Sequence, residues 1–543
     1  MRWLMTIIRK ILSRFATVFY RFSDDELLRD CKWIEKLCSA YRRVILITPR
    51  YSVIYFLKPY TEQLSHCITP NNKEQMIAKW RAFFADQNDD VKYFMTVLYY
   101  LTDMIDDDVS KDIMQYAKET NNPMYRYWTT MNISNMTFRT QSGIYPSYYI
   151  ERRELFKKIA DESGLTMPVN SKRTKNSVCL ITYTLKPSLK HSVQRVVSMF
   201  ANSLDKRGMK VLVLTLESFS ISISEGRSVY TPFYTKSADK QMAAIQSFFS
   251  DNVNIVSAGS GSYLERAQRA LNLIAAFGPS CIIDISDEYS FLSNIYQKEY
   301  PVYYIPMRGA SSSSCFTYIL GEKWTYEADN IKYHSIDMNK VQTWMFPEYV
   351  PECNKVLTRK ECGFHDNDFI IISIGNNNAG FSSSAVDQIC SMLLKNENMI
   401  WLLVGNPAPI YLHQKYQELI NKHRIIEWGF EENLPALCRI CNVHLRSDIT
   451  GGSGATAIAA MQGLPIVMKS KLCDPMRWLG NDFTMIKDDV AIIEEIEHLC
   501  FDNDYYVTQS NKAKEKVEIA SNADFWWDQL QSIITSSMKG EKQ

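Results

Sequence analysis

The sequence predicts an α/β protein in which two doubly wound parallel sheets follow a mostly α-helical front domain. Three observations carry this. From Ser177 onward, short and nearly continuous apolar runs alternate with amphipathic helical runs, the pattern of parallel strands buried on both faces. The alternation breaks near residues 345–365 and restarts, so it describes two sheets rather than one. Before Ser177 the apolar spacing is that of helices.

The totals agree with a folded, multidomain chain. A length of 543 residues accommodates roughly two to four domains. Apolar residues make up 46% and charged residues 22%, ordinary values for a globular protein. Sixty-one basic residues against sixty acidic ones leave almost no net charge. That excludes nucleic acid as the main partner, because neutralising phosphates requires a basic surface. The 13 cysteines are odd in number and scattered, which fits a reduced cytosolic protein rather than a disulfide scaffold. Cys438 and Cys441 have C-x-x-C spacing but no second pair at zinc-ribbon distance. They sit in a helical pattern with Leu434 and Leu437 and read as buried helix cysteines. Aromatic residues, at 12% with 31 tyrosines, serve either to fill cores or to line a sugar site.

In chain order, residues 1–21 carry five basic residues and no acid, with Trp3, Ile7, Ile11, Phe15 and Val18 at helical spacing. Arg9-Lys10 interrupts the apolar run too early for a signal peptide or a membrane span. Two readings of this basic amphipathic helix stand: peripheral contact with the inner face of the cell membrane, or packing on the protein's own body. Ser23 to Glu26 reads as a capping box opening a helix toward Leu37. Val44 to Ile47 reads as a strand or a buried helix turn, and residues 72–162 read as helices. The run Asp106-Asp107-Asp108 is taken as a solvated loop or helix start rather than a metal site, since no other ligand cluster lies nearby. The front domain spans 1–170, and the polar stretch from Ser163 to Asn176 is the boundary.

The second domain spans 177–350. Its strands are Ser177 to Thr184, Met209 to Leu216, Val253 to Val256, Cys281 to Ile285 and Val302 to Ile305. Its helices are Val193 to Leu204, Ala243 to Phe249 and Tyr263 to Phe277. The third spans 366–505, with strands Phe369 to Ile374, Met399 to Val404, Arg424 to Glu427, Val443 to Leu445 and Leu464 to Met468. Its helices are Ser384 to Leu394, Asn433 to Ile440 and Ala491 to Cys500. A long helix from about Tyr506 to Ile534, within 506–537, closes the chain. Ligands of such Rossmann-like sheets bind beyond the C-terminal ends of the strands.

The third domain contains the segment from Thr450 to Met468. A strand is followed by Gly451, Gly452, Ser453 and Gly454, then an alanine-rich helix from Ala455 to Gln462, then Gly463 and the next strand. Glycines let the backbone approach a ligand closely, and the N–H groups at a helix start bind anions. The loop suits a diphosphate, or else it is a plain tight turn under a close-packed helix. It is not a Walker loop, because no Lys-Ser/Thr pair follows the glycines, and it lacks the G-x-G-x-x-G spacing.

This segment resembles the donor loop of bacterial family-4-type glycosyltransferases of the GT-B fold: Leu445-Arg446, then Gly451-Gly452-Ser453-Gly454, then Ala459 to Val467, which ends in Gly463-Leu464-Pro465-Ile466-Val467. Ile371 to Asn376 is similar to the first strand and glycine turn of that domain, and Leu402 to Gly405 to its second strand. Trp428-Gly429-Phe430 with Leu434-Pro435 is similar to its segment near the nucleotide base. The resemblance is good over residues 366–505, weaker over the preceding half, and absent from the front third. It implies two Rossmann-like domains of GT-B type preceded by a helical N-terminal domain. It also implies transfer of a sugar from a nucleotide-diphosphate sugar, UDP-linked by preference, to a glycan, lipid-linked or protein acceptor, with no cofactor and no metal.

By the same resemblance, Gly375, Asn376, Arg446, Gly451, Gly452, Ser453, Gly454, Ala455, Thr456 and Asp474 bind the donor. Thr456 would offer a hydroxyl and Arg446 a cation, and Asp474 would meet a sugar hydroxyl. His191, at the start of the helix after the first strand, is the candidate general base, its ordinary pKa lying near neutrality. Asp287 is the alternative, with Glu288 beside it. Two departures stand out. The paired glutamates of many members fall on Thr450 and Ile458, and the basic residue expected after the first strand falls in Asn376-Asn377-Asn378. Arg446 or Lys469 supplies the missing charge, the helix start suffices alone, or the chain is an inactive partner subunit of another transferase. A sugar-nucleotide epimerase needs carboxylates around one sugar, and the segment from Gly451 to Gln462 has none.

Overall fold

The computed structural model describes residues 23–47, 60, 61, 63, 64, 67–69, 71–102, 104–140, 143–169, 173–188, 192–216, 220–224, 227–230, 241–261, 263–286, 291–307, 317–323, 336–353, 355–375, 381–405, 410–447, 452–469, 474–480, 483 and 485–540. It divides into two compact units. The first comprises Met1–Ile319 and Asp329–Lys340, the second Leu320–Ala328 and Val341–Gln543.

The first unit opens with helices α1 (Asp24–Arg29), α2 (Lys32–Ile47), α3 (Lys73–Ala85), α4 (Asp89–Thr102), α5 (Asp107–Glu119), α6 (Pro123–Thr140) and α7 (Tyr148–Glu162). The capping box is formed: Glu26 N–H donates to Ser23 Oγ at 3.2 Å and Ser23 N–H to Glu26 Oε2 at 2.9 Å. The helix it opens stops at Asp30 instead of running on to Leu37. Asp30 is extended, and its carboxylate accepts from Lys32 N–H at 3.0 Å, which starts a new helix. Residues 44–47 are the last turn of α2. Asp106 is the N-cap of α5, accepting from Val109 N–H at 2.7 Å, while Asp108 pairs with Arg81 at 3.0 Å. Many aromatic residues fill this helical core: Trp80 meets Tyr99 edge-on at 5.4 Å, and Tyr93 stacks on Tyr125 at 4.1 Å.

A parallel sheet follows. Its elements are β1 (Ser177–Thr182), α8 (Ser192–Lys206), β2 (Lys210–Thr215), β3 (Ser220–Ser224), β4 (Arg227–Tyr230), α9 (Met242–Gln246), β5 (Asn254–Ser257), α10 (Tyr263–Phe277), β6 (Cys281–Asp284), α11 (Ser293–Tyr296), β7 (Val302–Tyr304), β8 (Tyr318–Leu320) and β9 (Val341–Gln342). The sheet order is β5-β2-β1-β6-β7-β8-β9, and β3 and β4 form a separate antiparallel hairpin that the sequence pattern did not announce.

The second unit includes β9 and holds β10 (Phe369–Gly375), α12 (Ser383–Lys395), β11 (Met399–Gly405), α13 (Ile410–Lys415), α14 (Gln417–Asn421), β12 (Ile425–Gly429), α15 (Leu434–Arg439), β13 (Val443–Leu445), α16 (Ser453–Met461), β14 (Ile466–Val467), α17 (Met476–Leu479), α18 (Val490–Phe501), α19 (Asn503–Ser521) and α20 (Ala523–Gly540). Its sheet is parallel, in the order β12-β11-β10-β13-β14. Strand residues alternate between two cores. Ile370 and Ile372 face one with Ala457 and Val517, and Phe369 and Ile371 face the other with Val386 and Ile496. Cys438 is buried in α15 and Cys441 is buried just beyond it, both as free thiols.

The expected single closing helix is two helices. Asn522 is extended between α19 and α20, and its side-chain carbonyl accepts from Asp524 N–H at 3.0 Å and Phe525 N–H at 3.3 Å. In both sheets the chain winds outward in one direction and then returns to the other side of the first strand. The crossover points are β1/β6 and β10/β13, where such sheets open a crevice at their C-terminal ends.

Candidate donor site

The glycine loop leaves β13 at the second crossover point. The strand ends there are tied together: Ser373 Oγ donates to the Leu445 carbonyl at 2.8 Å, and Trp401 Nε1 donates to Ser373 Oγ at 3.0 Å. Gly375 and Gly405 end β10 and β11 side by side, and a Cβ on Gly405 would lie 2.5 Å from the Gly375 carbonyl oxygen. Only glycine permits that approach.

Gly452 is the N-cap of α16 and has φ +80°, a left-handed conformation. Helical geometry leaves the N–H groups of Ser453, Gly454 and Ala455 directed out of this end, and the first closing bond runs from Thr456 N–H to the Gly452 carbonyl at 3.2 Å. Arg446, 9% exposed, brings its guanidinium alongside: a Cβ on Gly452 would stand 3.7 Å from Arg446 Nη2. A helix start, its dipole and a guanidinium therefore converge, the arrangement that holds a phosphate.

The Thr456 hydroxyl faces inward. It is fully buried, 3.2 Å from the Gly452 carbonyl and 3.3 Å from His444 Nε2. The opposite ring nitrogen, His444 Nδ1, lies 3.1 Å from the Ile372 carbonyl, which only accepts, so Nδ1 carries the proton and Nε2 is an acceptor. Burial holds this imidazole neutral, with its pKa pushed down to about 4. Strand, histidine and threonine thus brace the loop from beneath. Ser453 faces two groups that the sequence reading did not include. Its hydroxyl donates to Glu348, which is 5% exposed, and accepts from Trp478 Nε1 at 2.9 Å. Glu348 stands 105 residues away in sequence, so no local spacing could reveal it.

Asp474 pairs with Arg477 at 3.4 Å at the start of α17. Lys469 is bound in an ion pair to Asp489, whose carboxylate also accepts from Ser382 Oγ at 3.0 Å. Ile458 is buried within α16. Trp428, by resemblance near the nucleotide base, stacks on Phe364 at 6.3 Å. Asn376, Gly451, Thr450, His191, Asp287 and Glu288 lie outside the described residues.

In the first unit, the loop after β1 is fastened where Lys186 N–H donates to Gln194 Oε1 at 3.2 Å. At the end of β6 the fully buried Asp284 accepts from Ser286 N–H at 2.6 Å and from the Tyr296 hydroxyl. Among the described residues no group of three metal-ligating side chains occurs, and no helix is long and apolar enough to cross a membrane.

No protein-family model matches the chain, and no curated protein matches its sequence. Solved structures do match. A mutant O-GlcNAc transferase of Thermobaculum terrenum superposes with a TM-score of 0.53 at 12% identity, over 95% of this chain and 98% of that one. A glycosyltransferase of Rickettsia africae gives a TM-score of 0.49 at 12% identity, over 67% of this chain and 99% of its own. TarM gives 0.47 at 7% identity, over 66% and 99%. With two parallel Rossmann-like sheets preceded by helices, and a superposition spanning 95% of its length, the chain has a fold of GT-B type.

Proposed function

We propose that this protein is a glycosyltransferase that moves a sugar from a nucleotide-diphosphate donor, UDP-linked by preference, to a hydroxyl of a glycan, lipid-linked or protein acceptor. The observation that carries the reading is the start of α16, where Gly452, in the left-handed conformation, presents outward N–H groups beside the Arg446 guanidinium. Each charge-assisted bond to phosphate would contribute about 1.5–3 kcal/mol. Oriented N–H groups and Arg446 would stabilise the departing diphosphate without a divalent metal. On this reading Gly375, Asn376, Gly451, Gly454 and Ala455 would complete the seat, and Asp474 would meet the sugar. His191 or Asp287 takes the acceptor proton. The Thermobaculum terrenum protein is an O-GlcNAc transferase, so UDP-N-acetylglucosamine is the first donor to try.

The test is calorimetric titration of the full chain with UDP, GDP and their common sugar conjugates, repeated on Gly452→Val. A Cβ at Gly452 meets only ordinary contacts, but φ +80° strains a β-branched residue there. The variant is expected to stay folded and to lose nucleotide binding; unchanged affinity would remove the loop from the donor site. A second reading rests on Thr450 and Ile458, which stand where many active members have glutamates: a silent partner subunit of another transferase. Release of UDP from the donor by the purified chain alone decides against it.

A further inference from the structure

Glu348 introduces a negative charge into the seat that the donor reading assigns to a diphosphate. Five hydrogen bonds fix its surroundings. Its own N–H donates to the Ala520 carbonyl at 3.0 Å. Trp344 Nε1 donates to the Trp526 carbonyl at 3.1 Å, and Met345 N–H to Gln529 Oε1 at 3.1 Å, so the whole segment is fastened to α19 and α20. The Glu348 carboxylate accepts the hydrogen bond of the Ser453 hydroxyl, while Trp478 Nε1 donates to Ser453 Oγ. Two consequences follow. The Ser453 hydroxyl has no proton left for a phosphate, so the seat consists of backbone N–H groups and Arg446. In addition, a buried and therefore weakly screened carboxylate stands at the first residue of the helix that receives the anion.

We propose that Glu348 sets the balance between donor and product, its carboxylate weakening a free nucleoside diphosphate more than the sugar-capped donor. The inference rests on the donor reading above. Glycosyl transfer breaks the bond between the anomeric carbon and the diphosphate oxygen. The electron pair stays with that oxygen, the new bond forms to the acceptor oxygen, and the acceptor's proton passes to a base. The diphosphate thereby gains one unit of negative charge. A fixed carboxylate close by repels the product by that added unit, worth about tenfold in affinity at the effective dielectric of a protein site. The same repulsion opposes charge development during bond cleavage, so Glu348 slows the chemical step and speeds product release, a step that limits turnover in many enzymes.

The test compares the wild-type full chain with Glu348→Gln, in which the amide oxygen still accepts from Ser453. UDP and UDP-N-acetylglucosamine are titrated at low and high salt. The expected result is that both ligands bind more tightly to the variant, that UDP gains about tenfold more than the sugar conjugate, and that this ratio changes little with salt because the carboxylate is buried. Ser453→Ala, which keeps the carboxylate, is expected to retain the wild-type ratio of the two affinities. Equal factors for both ligands in Glu348→Gln, or a shift in the ratio as large in Ser453→Ala, would overturn the role of Glu348 and leave the donor reading intact. A wild-type chain that binds neither ligand would overturn both.

Discussion

At the scale of the residue, His444 shows how one buried side chain shapes the loop above it. Its folded pKa, about 4, lies below the ordinary 6.5, so the unfolded chain binds the extra proton between those values. The neutral ring's contribution is complete above about pH 6.5 and is lost as the pH falls toward 4, by an amount on the order of 3 kcal/mol. Denaturant midpoints at neutral and acidic pH are expected to diverge accordingly, and His444→Gln is expected to flatten the slope across that window. Gly405 makes a different demand. Its φ is +111° and its missing Cβ would strike the Gly375 carbonyl, so Gly405→Ala is expected to destabilise the protein by about 1–3 kcal/mol, read from the same midpoint. The sequence exposed both glycines as strand ends. His444, inside an apolar triplet, gave no sign of its bonds to Ile372 and Thr456, because both partners are set by sheet register and helix packing.

At the scale of the element, the sequence was most legible where periodicity is uninterrupted and least where a short polar side chain captures the backbone. Tyr263–Phe277 and Val443–Leu445 fall where the pattern put them, since each is bounded by glycine or polar punctuation. Two breaks escaped notice for one reason: Asp30 accepts from the N–H two residues on, and so does Asn522. The apolar spacing continues across each break, so a helical reading runs straight through. Asn522→Ala removes the cap of α20 and is expected to cost about 1 kcal/mol. The loss should appear as faster amide exchange at Asp524 and Phe525, with α19 unaffected; unaltered exchange there would mean that tertiary packing alone holds the turn.

At the scale of the whole molecule, fold class was readable because strand and helix alternation is a long-range repetition, whereas the site was only half readable. Gly452 and Arg446 lie within one short stretch, but Glu348 and Trp478 arrive from distant segments that carry no motif. Ligand binding should also act on the second unit in particular. A nucleoside diphosphate at 100 times its dissociation constant adds about 2.7 kcal/mol to the stability of whatever it binds. Hydrogen exchange is then expected to slow in α16 and β13 and to remain unchanged in α3 to α7; protection confined to the front helices would place the ligand elsewhere. Among the described residues, seven fully buried tryptophans divide usefully between the units, with Trp33, Trp80 and Trp128 in the first and Trp344, Trp401, Trp478 and Trp526 in the second. The protein therefore carries intrinsic fluorophores in both units, and an emission shift on heating reports each one. Trp478 is the most informative, because its indole is bonded to Ser453 at the mouth of the glycine loop. The light lost or gained when a nucleotide is added, subtracted from the same trace in Trp478→Phe, is an optical readout of donor binding that needs no label.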